Sequence, residues 1–122
     1  MSFVNDNVLS NIDNMSRAEI DDLPFGAIKV DDNGVIQLYN EAQTEIADYD
    51  AKEVEGQNWF EDVAVCTNNR LVYGKFKKGV SKGDMDTEFN YTFTFKMKPT
   101  NVKIRMYQND DTGNNWIFCQ TT

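Results

Sequence analysis

The segment FGAIKVDDNGVIQLY (residues 25–39) has the pattern of a β-hairpin. Two runs rich in apolar and β-branched residues, Phe25–Val30 and Val35–Tyr39, flank the turn Asp31-Asp32-Asn33-Gly34. Asn-Gly between such runs is the strongest short-range hairpin signal, because both residues accept the positive φ that a tight turn requires. The segment therefore predicts that the core of the protein begins with two antiparallel strands.

Three further strands are predicted nearer the C-terminus. In TEFNYTFTF (Thr87–Phe95) an aromatic side chain recurs at every second position, which places these side chains on one face of a strand. Those aromatic residues are Phe89, Tyr91, Phe93 and Phe95. Asn101–Tyr107 alternates apolar with polar residues, and Trp116–Gln120 follows a polar turn. Both runs are typical of strands with a buried face.

Short helices are predicted between the two groups of strands. Glu41–Ala47 and Ala51–Glu55 favour helix, and Val72–Lys82 is amphipathic and ends at a glycine. Val63–Asn69, which contains Cys66, shows no regular pattern and is expected to be irregular. This order of elements predicts an α+β fold, a five-stranded antiparallel sheet with short helices on one face.

The first 24 residues form a polar leader with apolar residues at helical spacing. These apolar residues are Val8, Leu9, Ile12, Met15, Ile20 and Leu23. Such a segment docks its apolar side on a neighbouring surface and has little core of its own, so its independent stability is expected to be low. We therefore expect a single domain that divides into an N-terminal cap (1–24) and a core (25–122).

The composition argues against several classes of partner. The chain has 122 residues, which is the usual size of one domain. It carries 20 Asp and Glu against 12 Lys and Arg, a net charge of −8. Duplex DNA and anionic membranes repel such a chain, so we expect neither as a partner. The charge favours solubility and agrees with a monomer.

The histidine and cysteine content argues against hydrolytic catalysis. The sequence has no His, which removes the Ser-His-Asp and Cys-His triads and His-containing zinc sites. Cys66 and Cys119 lie far apart without a CxxC motif. The first residues lack the basic flank and apolar run of a secretory signal. We expect a protein of the reduced cytoplasm that is not an enzyme and binds no metal.

Cys66, Tyr39 and Gln43 are the side chains that suggest a ligand site. Cys66 lies in an irregular loop, where a side chain can point into a cavity, although free cysteines are more often small buried hydrophobes. Tyr39 and Gln43 lie where the hairpin meets the next helix, spaced so that both can converge on one polar atom, but a Gln at such a position is usually solvated. Packing explains Cys119 and the aromatic strand face. The residues alone thus indicate a soluble α+β binding domain.

The sequence resembles the photoactive yellow proteins, a branch of the PAS-fold sensors, along nearly its whole length. The matching stretches are LPFGAIKVDDNGVIQLYN (23–40), FEDVAVCT (60–67), YGKFKKGV (73–80) and EFNYTFTFKMKPTNVKI (88–104). In this family a tyrosine at the end of the hairpin and a cysteine that bears a chromophore are a fixed number of residues apart. Tyr39 and Cys66 keep that spacing without gaps. The resemblance implies a PAS-like fold in which the cap packs on the sheet face away from the chromophore.

The resemblance implies a covalent cofactor, 4-hydroxycinnamic acid (p-coumaric acid), held as a thioester by Cys66. Tyr39 matches the tyrosine that donates a hydrogen bond to the phenolate oxygen of this chromophore. Gln43 stands where the best-known members carry a glutamic acid, the second phenolate donor. The other implied pocket and lid residues are Ile28, Ala47, Tyr49, Trp59, Val63, Ala64, Thr67, Tyr91, Phe93 and Met97.

The chain departs from the family pattern at several of these positions. Ala47 replaces a threonine, Tyr49 the arginine that shields the pocket, Val65 a proline and Phe95 a tyrosine. These changes amount to repacking or local retuning of the lid. Gln43 changes the proton chemistry, because an amide has no proton to release near neutral pH.

The function implied by the resemblance is that of a blue-light receptor. Light isomerises the chromophore from trans to cis, the phenolate takes up a proton, and the cap undocks as the signal to a downstream protein. Because of Gln43, we expect the proton to come from solvent. Two alternatives are a PAS-like module that holds a small aromatic ligand non-covalently and an engineered fluorogen-binding tag, against which the retained Cys66 argues. An enzyme ranks last.

Overall fold

The computed structural model describes residues 3–47, 49–94 and 98–122. Its α-helices are α1 (Asp6–Asn11), α2 (Arg17–Asp21), α3 (Glu41–Ala47), α4 (Ala51–Val54) and α5 (Tyr73–Lys82). Its strands are β1 (Gly26–Val30), β2 (Ile36–Tyr39), β3 (Asp86–Phe93), β4 (Thr100–Gln108) and β5 (Asn115–Thr121). Short 3-10 turns span Ile12–Asn14 and Val65–Thr67, and a π turn spans Trp59–Val63.

The strands form one antiparallel sheet in the order β2-β1-β5-β4-β3. β1 and β2 pair around the predicted turn, where Gly34 has a φ of 92°. β5 lies in the middle of the sheet, and Asn115 through Cys119 are buried. Along β3, buried or half-buried side chains alternate with exposed ones up to Phe93, while Phe95 lies outside the described residues. The predicted α+β fold with a five-stranded antiparallel sheet is confirmed.

The two faces of the sheet carry separate apolar layers, because side chains alternate between faces along each strand. In β1, Ala27 belongs to one layer and Ile28 to the other. The Ala27 layer joins the N-terminal segment to β1 and β5 through Val4, Leu9, Ile12, Ile20, Phe25, Trp116 and Phe118. The Ile28 layer contains residues of α4, the π turn and α5, among them Val54, Trp59, Phe60 and Phe76. The N-terminal segment therefore covers the face of the sheet opposite to these helices.

Asp13 fastens the N-terminal segment to the loop before β5. Its carboxylate accepts hydrogen bonds from Thr112 Oγ1 at 2.7 Å, Asn114 Nδ2 at 3.1 Å and Trp116 Nε1 at 2.8 Å. α1 has 6 residues and α2 has 5, lengths at which an isolated helix is unstable in water. The N-terminal segment is therefore held in place by its contacts with the sheet and with the loop before β5.

The stretch around Cys66 is more regular than the sequence predicts. The expectation of an irregular segment over Val63–Asn69 is wrong for Val63, where the π turn ends, and for Val65–Thr67, which form a 3-10 turn. The Asn58 side chain starts this run, since its Oδ1 accepts the backbone N–H groups of Phe60 at 3.0 Å and Glu61 at 3.1 Å. Two short helical turns thus carry the chain under the sheet to Cys66.

The helices are short compared with the thickness of a bilayer. The longest of those described, α5, has 10 residues, whereas a membrane-spanning helix needs about 20. Within the described ranges, no helix has both the length and the apolar character to cross a membrane.

Candidate functional site

A narrow cavity opens between the end of β2, α3 and the turns that carry Cys66. Its empty space, with the open mouth included, is about 300 Å³. The residues that line it are Tyr39, Gln43, Ala47, Tyr49, Trp59, Val63, Ala64, Cys66 and Phe93. Most of these side chains are apolar, so a polar ligand atom inside must meet one of the few polar groups.

Tyr39 is the last residue of β2 and is completely buried. Its hydroxyl has no hydrogen-bond partner among the described residues. Burial raises the pKa of the phenol above its ordinary value, and the neighbouring Gln43 side chain offsets a smaller part of this rise. Tyr39 therefore keeps its proton at neutral pH, and this proton is free to be donated to a ligand in the cavity.

Gln43 is buried on the inner side of α3, although a Gln at this position is usually solvated. Its Oε1 is buried and accepts no hydrogen bond from the described part of the chain. Asn40, which precedes α3, accepts the backbone N–H of Gln43 at 3.1 Å through Oδ1 and thereby fixes the start of the helix. Buried polar groups without partners are rare in folded proteins and are expensive to leave unpaired. The unpaired Tyr39 hydroxyl is therefore the group at this cavity that calls for a ligand acceptor.

Cys66 is half-buried in the 3-10 turn at the cavity wall. Its carbonyl oxygen accepts a hydrogen bond from the Tyr91 hydroxyl and another, at 3.1 Å, from Asn69 Nδ2. Thr67 Oγ1 donates to the Ala64 carbonyl and closes the same turn. The backbone around Cys66 is therefore held firmly while the thiol side chain lies at the cavity.

The structure brings most of the expected site residues together. The residues that line this cavity are Cys66, Tyr39, Gln43, Ala47, Tyr49, Trp59, Val63, Ala64 and Phe93. Three expected residues do not line the cavity. Ile28 packs in the core and pairs with Tyr39 across β1 and β2. The Thr67 hydroxyl donates a hydrogen bond to the Ala64 carbonyl, and the Tyr91 hydroxyl donates one to the Cys66 carbonyl. Met97 lies outside the described residues.

Four supporting residues were not anticipated from the sequence. They are Gly26, Asn40, Glu55 and Asn69, which contact Gln43, Tyr39 or Cys66 through the fold. Asn40 carries a local signal, because an asparagine directly before a helix is a common N-cap. The other three have no such signal, since their partners are reached only in the folded chain.

Comparison with known proteins identifies the family of this chain. The family model described as PAS fold matches residues 14–119. The chain is 41% identical to a photoactive yellow protein from Halochromatium salexigens, over 95% of this chain and 93% of the relative. It is 38% identical to a photoactive yellow protein from Rhodothalassium salexigens, over 97% of this chain and 94% of the relative. The resemblance seen in the sequence is thus confirmed.

Solved structures agree with the sequence comparison. The photoactive yellow protein domain of the sensor histidine kinase Ppr from Rhodospirillum centenum is 40% identical, with a TM-score of 0.86 over 91% of this chain and 97% of that domain. A domain of a sensor histidine kinase/response regulator from Geobacter sulfurreducens shares the fold at 17% identity, with a TM-score of 0.70 over 98% of this chain and 99% of that domain. The chain therefore belongs to the photoactive yellow protein family of PAS-fold blue-light photosensors, which are receptors and not enzymes.

Proposed function

We propose that this chain senses blue light through a 4-hydroxycinnamoyl group bound as a thioester to Cys66. The observation that carries the proposal is that Cys66 lines the same narrow cavity as the buried Tyr39 hydroxyl, which has no hydrogen-bond partner among the described residues, and the buried Gln43 side chain. A phenolate oxygen at the inner end of the cavity would accept a hydrogen bond from the Tyr39 hydroxyl and another from the Gln43 Nε2 amino group, and the apolar walls suit an aromatic ring. When bound, the group supplies an absorbing double bond that isomerises from trans to cis in blue light.

Tyr39 and Gln43 would keep the phenolate ionised inside the protein. A buried charge without hydrogen bonds is expensive, and a bond to a charged group contributes on the order of 1.5–3 kcal/mol. Tyr39 supplies its hydroxyl proton, because burial raises its pKa and keeps it protonated. Gln43 Oε1 lies against Gly26, so its Nε2 amino group is the end of the amide left for the ligand. Two neutral donors thus stabilise the anion without adding charge.

Gln43 also decides where a proton comes from when these hydrogen bonds are broken. An amide has no proton to release near neutral pH, and Tyr39 holds its proton tightly. We propose that solvent provides the proton that neutralises the phenolate. Infrared difference spectra should show no carboxyl group losing a proton as the phenolate is neutralised. A carboxylate signal that appears together with that protonation refutes this part of the proposal.

The N-terminal cap is the element that we propose to carry the signal. Its helices are short and depend on docking to the sheet, so a modest change beneath them shifts the docked population. Hydrogen exchange of residues 3–24 should therefore rise under illumination, and unchanged protection refutes cap release. We further propose that the receptor is a cytoplasmic monomer, with residues 1–24 as the cap and 25–122 as the sensor core, and that the released state binds a downstream signalling protein.

Attachment of the pigment tests the proposal directly. The chain made in a host that supplies activated p-coumarate should be yellow, bleach under blue light and recover in the dark. Cys66→Ala should lose both the colour and the mass increment, whereas Cys119→Ala should keep both, because Cys119 is completely buried and does not line the cavity. A pigment that stays attached without the Cys66 thiol, or an absorbance that blue light leaves unchanged, overturns the proposed function. Colour without a mass increment indicates the non-covalent binding module instead.

A further inference from the structure

The Glu55 carboxylate lies between Tyr39 and the N-terminal cap. Its Oε2 accepts the backbone N–H of Tyr39 at 3.1 Å. The same carboxylate pairs with Arg17 of α2, whose Nη1 donates to Oε1 at 3.2 Å and whose Nη2 donates to Oε2. Arg17 Nη2 also lies 3.5 Å from the Tyr39 carbonyl oxygen. Both backbone polar groups of Tyr39 thus face one ion pair that includes a cap residue.

Glu55 occupies a position where the sheet leaves a backbone donor unpaired. β2 is an edge strand, and Tyr39 at its end pairs with Ile28 on one side only. An N–H on the outer edge of a sheet needs another acceptor, and a carboxylate forms a stronger hydrogen bond than a neutral group. The Glu55 side chain therefore fixes the end of β2 from outside, while the Tyr39 ring is buried on the inside.

The ion pair is partly exposed, which limits what it contributes to folding. The side chains of Arg17 and Glu55 are 48% and 26% exposed. Exposed pairs of this kind add little to overall stability and are screened by salt. The bond from Glu55 to the Tyr39 backbone lies closer to the core and fixes the residue that carries the buried hydroxyl. The contact is thus suited to setting the position of Tyr39 rather than to holding the fold together.

We propose that Glu55 is a positioning residue for Tyr39 and that its ion pair with Arg17 couples the position of Tyr39 to docking of the cap. The inference rests on the proposed function in that Tyr39 is taken as the phenolate donor. A displacement of Tyr39 changes the geometry at Glu55, and through Arg17 it changes the affinity of the cap for the sheet. By thermodynamic linkage, the free energy by which cap docking favours one position of Tyr39 equals the free energy by which that position favours cap docking.

Two substitutions at Glu55 separate the two parts of this coupling. Glu55→Gln keeps an acceptor for the Tyr39 N–H but removes the charge that pairs with Arg17, whereas Glu55→Ala removes both. In the full-length apoprotein, Glu55→Gln and Arg17→Gln should raise hydrogen exchange of the cap amides roughly two- to fivefold, as expected for loss of an exposed ion pair. Glu55→Ala should in addition deprotect the Tyr39 amide. Glu53→Gln is the control: Glu53 lies two residues earlier, its side chain makes no hydrogen bond in the described residues, and the variant should behave as wild type.

In the holoprotein, the absorption spectrum tests the positioning role, because a residue that only stabilises the fold would leave the spectrum unchanged. Glu55→Ala should shift the absorption maximum and the chromophore pKa. In Glu55→Gln both should stay close to their wild-type values, because the amide oxygen still accepts the Tyr39 N–H. Asp13→Ala removes the carboxylate that accepts the Trp116 Nε1–H and leaves the contact with Tyr39 intact. It should therefore raise hydrogen exchange of the cap amides with a smaller spectral change than Glu55→Ala. In about 1 M salt, where screening is strong, cap exchange in wild type should approach that of Arg17→Gln.

The two proposals fail in distinguishable ways. A protein that takes up no pigment refutes the proposed function, while exchange of the Tyr39 amide in the apoprotein still decides the role of Glu55. If the Tyr39 and cap amides of Glu55→Ala exchange as in Glu53→Gln, the coupling is refuted whether or not the pigment is bound. A spectrum of holo Glu55→Ala identical to wild type likewise refutes the positioning role.

Discussion

Gln43 Oε1 occupies the space that a β-carbon on Gly26 would fill. An ideal β-carbon built on Gly26 lies 1.9 Å from this oxygen and 3.0 Å from the amide carbon of the same side chain. Gly26 is not among the glycines with positive φ, so space and not backbone conformation is what requires glycine here. The missing side chain lets α3 approach β1 closely enough to bury the Gln43 amide at the cavity.

Gly26→Ala should therefore disturb Gln43 more than the fold. The added methyl pushes the amide out of its position, at a cost of about 1–3 kcal/mol in the free energy of unfolding. With one phenolate donor displaced, the holoprotein should absorb further to the red and its chromophore pKa should rise. Gly74→Ala is the matched control, because a β-carbon there meets its nearest atom only at 3.7 Å. Equal spectra for the two variants would show that Gly26 does not position Gln43.

Gln43→Glu should move the colour in the opposite direction. A carboxylic acid O–H is a stronger donor than an amide N–H, so it localises more charge on the phenolate oxygen. We expect the variant to absorb further to the blue than wild type and to have a lower chromophore pKa, measured by visible absorption during an acid titration. Its infrared difference spectrum should gain a carboxyl signal that wild type lacks. A wild-type maximum to the blue of the variant would contradict the assigned role of Gln43.

Asn69 should control access to the Cys66 thiol. Its Nδ2 donates to the Cys66 carbonyl at 3.1 Å and to the Tyr91 hydroxyl oxygen at 2.8 Å, while its Oδ1 accepts the Val72 N–H at 3.0 Å. Asn69→Ala should lower the free energy of unfolding by about 1–2 kcal/mol and speed the reaction of Cys66 with a disulfide reagent in the apoprotein.

The neighbouring Asn68 provides the control for Asn69. Its exposed side chain makes no hydrogen bond within the described ranges, although its backbone N–H donates to Val65. Asn68→Ala should therefore react with the reagent at the wild-type rate. Equal reactivity of the Asn69→Ala and Asn68→Ala proteins would mean that the hydrogen bonds of Asn69 do not restrain the attachment turn.

Alkaline pH should destabilise the apoprotein through Cys119. Complete burial raises the pKa of this thiol above its ordinary value. Above about pH 8.5 the unfolded chain releases a thiol proton that the folded chain keeps, so stability falls as the pH rises, by at most about 1.4 kcal/mol per pH unit for one group. Tyr39, whose pKa burial also raises, adds a fall of the same sign above about pH 10.

Urea unfolding at several pH values measures this effect. The midpoint of wild type should decrease between about pH 8 and about pH 10, and the decrease should be shallower for Cys119→Val, which has no thiol to titrate. Parallel midpoints for the two proteins over this range would exclude Cys119 as the source of the alkaline loss.

Most of the fold was predictable because its signals are local. The hairpin over residues 25–39 and the aromatic strand ending at Phe93 follow from alternation and turn chemistry, which act between neighbours in sequence. The helix over Glu41–Ala47 was predicted with the bounds that the structure shows. The π turn before Cys66 and the 3-10 turn that contains it were missed, because such short turns have no strong periodicity.

The candidate site was predictable only in part. Cys66 and Tyr39 stood out through their matched spacing and the resemblance to a known family. The burial of Gln43 contradicts the usual behaviour of a Gln in a short helix, and it depends on Gly26, 17 positions earlier in the numbering. Glu55 reaches Tyr39 across 16 residues and Arg17 across 38, and no local pattern encodes such contacts.

The amino-acid sequence by itself determined the strand and helix types and the acidic charge, because these depend on side-chain chemistry and short-range periodicity, whereas the pocket residues were inferred from the resemblance to a known family. Only the tertiary structure decided which buried polar groups lack partners, which side chain accepts the Tyr39 backbone N–H, and through which ion pair the cap contacts that side chain. Those properties arise from long-range packing, where the position of one backbone atom depends on side chains from several distant segments at once.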